Sequence, residues 1–284
     1  MSDIVVLGSL NMDLIVRTER IPRPGETVHG YGFSTVPGGK GANQAAAAAR
    51  LGAAVTMLGR VGQDAFGDAV LDNMMMQGVE TGYILRDRRE PSGIALIQIQ
   101  EDGDNSIVVA PGANGRVSID DVDRATELIW GASFLVAQFE VPLPVVRHAI
   151  GIAASKGVPV VLNPAPAYAV DPGFLEGVYC LVVNETEAAQ WRWPVPYLVT
   201  TRGADGVTVL SDARRFEVAA PPVEAIDTSG AGDVFAGVLA ASWCAMTPER
   251  AVRRAAAAGA LATLVPSAGD CAPTDEMIKD VLAR

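Results

Sequence analysis

Short apolar, β-branched runs alternate with helical patterns along most of this chain, and that alternation restricts the fold more than any single motif. The strand-like runs are Ile4–Leu7, Val55–Leu58, Phe134–Ala137, Val158–Leu162, Leu181–Val183 and Tyr197–Thr201. Helical patterns lie between them at Asn43–Leu51, Phe66–Gln77, Ile119–Trp130 and Pro144–Lys156. This is the signature of βαβ units, which build a mostly parallel sheet with helices on both faces. A run such as Val158–Leu162, apolar at nearly every position, fits a strand buried on both sides. Met74–Met76 and Ala45–Ala49 fall within helical patterns and read as packing rather than as a soft-metal site or low-complexity chain.

Two segments break the alternation. Asp13–Thr35 holds the strand-like Leu14–Arg17, a turn at Ile21–Gly25, and Thr27–Phe33. Ser92–Ala110 holds Gly93–Gln100, the turn Glu101–Asn105 and Ser106–Ala110, a hairpin signal. Neither belongs in a βαβ core, so both are expected in a small sheet lying over the strand ends as a lid. A lid excludes water, which matters for a transfer that water can intercept. Exposed strand edges are usually covered or paired, which predicts a homodimer joined through these two segments.

Polar residues gather where open α/β sheets bind ligands, beyond the carboxyl ends of strands. Asn11 and Asp13 follow the first run, and Glu140 follows Phe134–Ala137. Gly39, Lys40, Gly41, Ala42 and Asn43 lead into the Ala-rich helix. Asn11, Asp13, Asn43 and Glu140 are short groups that can pair with several hydroxyls, as a polyol or sugar requires. Singly each is commonly a cap or turn residue, and Asn43 has the chemistry of a helix N-cap. Four of them at strand ends are hard to explain as caps. Asn163–Pro166 and Asn184–Glu187 also follow strands. The latter offers an amide and a carboxylate to a hydrated Mg²⁺ bridging phosphates, or else is an acidic helix start favoured by the dipole.

Asp227–Gly237 places Gly230, Ala231, Gly232 and Asp233 where a loop turns into an apolar helix, Val234–Trp243. N–H groups at a helix start lack intrahelical partners and bind anions. A carboxylate beside such a cradle suits proton removal from a hydroxyl attacking a phosphoryl group, because a resting phosphate would be repelled. The bland reading, a glycine-rich turn capping a helix, would serve for this segment taken alone.

Composition narrows the field. The chain has 284 residues, 49% hydrophobic and 19% charged, enough for one large core. A net charge of −11 argues against nucleic acid or an anionic membrane as partner. Only His29 and His148 are present, which nearly excludes a multi-histidine metal centre and leaves a carboxylate as the expected general base. Cys180, Cys244 and Cys271 are odd in number and lack CxxC spacing, so reduced thiols in the cytoplasm are expected. Ile4–Leu7 follows Asp3 and reads as a strand rather than a leader, and no apolar run approaches membrane-spanning length. There is no GxxxxGK[ST], and Gly230-Ala-Gly232 lacks the third glycine of a dinucleotide fingerprint.

Taken in order, Asn11-Met-Asp13, Gly38–Asn43, Asn163–Pro166, Asn184–Glu187 and Asp227–Asp233 resemble the motifs of the ribokinase-like sugar kinases, the phosphofructokinase-B superfamily. Within it, Gly38–Gln44 and Gly93–Asn114 look most like the ribokinases. The resemblance implies one ribokinase-like α/β domain over residues 1–284, with lid segments of about 13–35 and 92–110. It implies that Asn11, Asp13, Gly39, Lys40, Gly41, Ala42, Asn43 and Glu140 hold the sugar. Asn184, Thr201, Arg202, Gly203, Ala204, Asp205, Gly206 and Gly232 would line the ATP site, with Glu187 positioning Mg²⁺. Asp227 and Ser229 would contribute to a K⁺ site, and Asp233 would be the base, served by the Gly230–Gly232 N–H groups. The implied activity is ATP-dependent phosphorylation of D-ribose at its 5-hydroxyl. Other acceptors (a ketose such as fructose, 2-keto-3-deoxygluconate, a nucleoside) and a non-catalytic sugar-binding protein are the alternatives. The chain departs from the relatives in two places: only Ala188–Pro196 separates Glu187 from the Thr-x-Gly motif, and Leu264–Gly269 differs from the usual stretch.

Overall fold

The computed structural model describes residues 3–101, 104–189, 194–212, 214–266 and 269–283, without the Asp3 side chain. In chain order the first strands are β1 (Asp3–Leu7), β2 (Asn11–Thr18), β3 (Gly30–Gly38), β4 (Ala54–Gly62) and β5 (Val79–Asp87). Then come β6 (Gly93–Ile99), β7 (Asn105–Ala110), β8 (Phe134–Gln138) and β9 (Val160–Asn163). The last are β10 (Val178–Asn184), β11 (Tyr197–Thr201), β12 (Val207–Ser211) and β13 (Arg215–Val218). The helices are α1 (Lys40–Ala49), α2 (Ala65–Met76), α3 (Ile119–Arg124), α4 (Thr126–Gly131) and α5 (Leu143–Ser155). They continue with α6 (Glu185–Ala188), α7 (Ala231–Trp243), α8 (Pro248–Ala262) and α9 (Asp275–Leu282).

A nine-stranded sheet runs β13-β12-β11-β10-β9-β8-β1-β4-β5. It is parallel from β11 to β5 and ends in the antiparallel strands β12 and β13. Because side chains alternate along a strand, β1 feeds two cores. Ile4 and Val6 pack with α1, α7 and α8 on one face; Val5 and Leu7 pack with α3, α4 and α5 on the other. Both faces are apolar, as the continuous runs of β8, β9 and β10 require. Burying one such Val, Leu or Ile contributes about 1.5–3 kcal/mol.

The second sheet runs β3-β2-β6-β7, two antiparallel hairpins joined by the parallel pair β2–β6. The two segments expected to form a lid therefore form one sheet, slightly longer than the sequence suggests. Only Gly8–Leu10 separates β1 from β2, so the small sheet is rooted at the carboxyl end of the large one.

The structure also corrects the sequence reading. The expected helix Ile119–Trp130 is two helices, broken at Ala125, whose φ of −98° and ψ of 8° leave the helical region. Strands β5, β12 and β13 and helices α8 and α9 were not anticipated. Of the three consecutive methionines only Met74 is buried; Met75 and Met76 are exposed. Asn43 is not an N-cap: that position is Gly39, and Asn43 lies inside α1. Asp102 and Gly103 of the expected turn, Trp191–Trp193 and Ser267–Ala268 lie outside the described residues.

Candidate active site

Two cavities follow the carboxyl ends of the parallel strands. One, of about 640 Å³, is lined by Thr201, Gly203, Ala204 and Gly206, by Ala220–Val223 and by Phe235, Ala256 and Ala260 among others. The other, of about 130 Å³, is lined by Lys40, Asn163, Asn184, Glu187, Gly230 and Asp233 among others. Thr201 and Gly232 border both, so the chambers meet at the start of α7.

That start is built by Gly230, whose φ of 75° lies in the left-handed region that disfavours a side chain. The chain then enters α7 with the Gly232 and Asp233 N–H groups accepted by no described residue. Nothing lies within 4 Å of where a Gly232 Cβ would stand, leaving the N–H groups open to an anion.

Asp233 is buried and held from α1. Asn43 Nδ2 donates to its Oδ2 at 3.3 Å, and Gln44 Nε2 donates to its Oδ1 at 3.0 Å. Gln44 is itself oriented: its Oε1 accepts from Gln138 Nε2 at 2.7 Å, and its Nε2 also reaches Asn163 Oδ1 at 3.3 Å. The carboxylate therefore faces the cavity in a fixed pose.

Asn11 and Asp13, both buried, begin β2. Burial pushes the Asp13 carboxyl from its ordinary 3.8 up to about 7, helped by the nearby charges of Glu140 and Asp233. Glu140, just after β8, accepts the Ser9 hydroxyl at 2.5 Å and the Lys40 N–H at 3.3 Å on the same oxygen, Oε2. Lys40 counters the acidic cluster: Asp233 above all, then Glu140 and Glu187, raise its ammonium above the usual lysine range against the cost of burial.

The residues expected at the nucleotide divide into groups. Thr201, Gly203, Ala204 and Gly206 line the large cavity; Arg202 and Asp205 do not. Arg202 Nη2 donates to the Asp205 carbonyl at 3.1 Å and its guanidinium lies 3.6 Å from Glu217. Asn184 and Glu187 line the small cavity and also form a reciprocal capping box for α6, at 2.8 and 2.9 Å. One carboxylate here fits a hydrated Mg²⁺ that takes most ligands from water and phosphate. No cluster of three or more metal-ligating side chains occurs among the described residues. Asp227 and Ser229 sit apart, in a turn where Ser229 N–H donates to Asp227 Oδ1 at 2.8 Å.

Sequence reasoning missed Ser9, the Asp233 contact of Gln44, and the apolar wall Ala220–Val223, Phe235, Ala256 and Ala260. A stripe of small residues on α8 was the readable signal for part of that wall.

Open N–H groups at a helix start, an adjacent buried carboxylate and a cluster of short polar groups at the root of a small sheet suit a phosphotransferase acting on a polyhydroxyl acceptor. The chain belongs to the pfkB family of carbohydrate kinases, whose profile it matches over residues 1–193 and 195–275. It is 37% identical to a ribokinase of Bacillus subtilis over the full length of both chains. It is 38% identical to a deoxyribokinase of Salmonella typhi over 84% of each chain. Among solved structures it is similar to Arabidopsis thaliana ribokinase complexed with ribose and ATP, with a TM-score of 0.90, 29% identity and complete coverage of both chains. The protein is a carbohydrate kinase. No helix among the described residues is long and apolar enough to cross a membrane.

Proposed function

We infer that the protein transfers the terminal phosphoryl group of ATP to a small sugar, D-ribose at its primary 5-hydroxyl. One observation carries this reading: the Asp233 carboxylate lies beside the open N–H groups of α7 where the two cavities meet. The large chamber, walled by alanines, prolines and Phe235, suits a nucleoside, and the small one suits the phosphate tail. Asn11, Asp13, Glu140 and Asn43 hold the sugar hydroxyls. Asp233 takes the proton of the attacking hydroxyl as its oxygen bonds to phosphorus and the bond to the leaving ADP oxygen breaks. The Gly232 and Asp233 N–H groups and the Lys40 ammonium meet the charge on the phosphoryl oxygens. A divalent cation, Mg²⁺, would be held near Glu187 and Asn184 and would supply charge neutralisation between phosphates.

Three finer readings accompany this one. Asp227 and the turn at Ser229 form part of a K⁺ site that steadies the loop before α7. The small sheet pairs with that of a second copy, supported by exposed Tyr31, Phe33, Leu96, Ile107 and Val108 on its strands. Residues 1–284 act as one domain, working in the cytoplasm.

ATP consumption measured with ribose, 2-deoxyribose, fructose, adenosine and 2-keto-3-deoxygluconate tests the assignment. Preference for ribose is expected. Preference for another acceptor rejects ribose, and no turnover with any acceptor rejects the catalytic reading.

A further inference from the structure

Asn114 lies in the 3-10 turn Gly112–Arg116, by which the chain returns from β7 to the large sheet. It is almost completely buried and touches no cavity described above. Its Oδ1 accepts the Leu10 N–H at 2.9 Å. A backbone N–H only donates, so this bond fixes which end of the carboxamide is oxygen. Its Nδ2 then gives one hydrogen to the Leu10 carbonyl at 3.1 Å and the other to Asn11 Oδ1 at 2.7 Å. All the donor capacity of Asn114 is spent on the three-residue link between the sheets and on the first residue of β2.

The consequence falls on Asn11. With its oxygen engaged by Asn114, Asn11 is left with its NH₂ group to offer, for which no described residue supplies an acceptor. The pair is closed from behind by Gly93, where a Cβ would stand 2.2 Å from Asn114 Nδ2 and 2.4 Å from Asn11 Oδ1.

We propose that Asn114 is a positioning residue that locks the Asn11 carboxamide with its NH₂ toward the acceptor, making this subsite read a sugar oxygen as a hydrogen-bond acceptor. The proposal rests on the sugar-kinase reading of the cleft and deepens it. The neighbouring groups expected at the acceptor are the carboxylates Asp13, Glu140 and Asp233, whose charges act on one another, so a reversed Asn11 would add one more acceptor where a hydroxyl needs a donor.

Asn114→Asp tests it. A carboxylate still accepts from Leu10 but cannot donate to Asn11 Oδ1, so Asn11 turns over to donate to it. Asn114→Ser serves as an uncharged second variant. Sugar affinity by calorimetry is read beside sugar KM, ATP KM, kcat and circular dichroism. The expected result is a sugar affinity weaker by about tenfold, the scale of one lost hydrogen bond, with ATP KM and kcat nearly unchanged. In an Asn11→Ala background the same substitution should add nothing further, because Asn114 acts through Asn11. Unchanged sugar affinity, parallel loss of sugar and ATP binding, or additive loss in the Asn11→Ala background overturns the proposal. Failure of both variants to fold overturns it too, since the residue would then serve the fold alone. Wild-type sugar binding without turnover rejects the kinase reading and leaves this affinity comparison standing.

Discussion

The carbonyl oxygen of Gln44 in α1 lies 2.2 Å from where a Cβ would stand on Gly237 of α7. The two helices touch backbone to backbone, one turn from the point where Asn43 and Gln44 grip Asp233. Gly237→Ala must push them apart. Overpacking of this kind costs about 1–3 kcal/mol. It should also lengthen both bonds to Asp233, and misplacement of a reacting group by about 1 Å can cost about 10²-fold in rate. Thermal unfolding and kcat measured on the variant check this; wild-type values for both would show that the contact is immaterial.

Asp233→Asn keeps the size of the side chain and removes its capacity to take a proton. Loss of a general base typically lowers turnover by about 10²–10⁴-fold. Sugar affinity should change far less, because Asn11, Asp13, Asn43 and Glu140 remain. If Asp233 served only the helix dipole, turnover would persist and stability would move by about 1 kcal/mol at most. A folded variant with near-wild-type kcat removes Asp233 from the mechanism.

Asp13 carries a pH signature. Its carboxyl is raised from 3.8 to about 7, chiefly by burial, so the folded protein holds this proton more tightly than the unfolded chain. The sign follows from linkage: the stabilisation is complete below pH 4 and is lost as pH rises toward 7, by at most about 4 kcal/mol. Asp13→Asn should therefore raise Tm relative to wild type at pH 8 and leave it nearly unchanged at pH 4. A difference in Tm independent of pH would contradict this. The sugar affinity of the wild type should weaken as pH falls from 8 to 6 and the acceptor carboxylate is protonated.

The small sheet should pair between copies. Light scattering at micromolar concentration is expected to give twice the chain mass, and Phe33→Asp combined with Ile107→Asp to give a monomer. A monomeric wild type sinks the pairing.

K⁺ in place of Na⁺ should raise turnover, since Asp227 and the Ser229 turn lead directly into Gly230. Equal rates in the two salts would reject a K⁺ site there.

The parallel core was legible because strands such as β8 and β9 are apolar at every interior position, a pattern with few other uses. The hairpin β6–β7 was legible from its alternation, and the helix start at Gly230 from its glycines. Strands β12 and β13 escaped because half-exposed residues such as Thr208, Leu210 and Glu217 give strands at this end of the sheet little contrast with a loop. Helix α8 escaped because its buried stripe is mostly alanine, which marks a face weakly. The break at Ala125 carries no glycine or proline to announce it. Within the site, residue types were readable from the motifs, whereas pairings were not. Gln44 meets Asp233 across 189 positions of sequence, and only the crossing of α1 with α7 brings them together.

Asn11 and Asp13 belong to β2, hence to the small sheet rather than to the large one. If that sheet acts as a lid, a movement that lifts it would carry both residues away from the acceptor together. An acceptor too bulky for β2 to settle upon would meet fewer hydrogen-bonding partners instead of a wall.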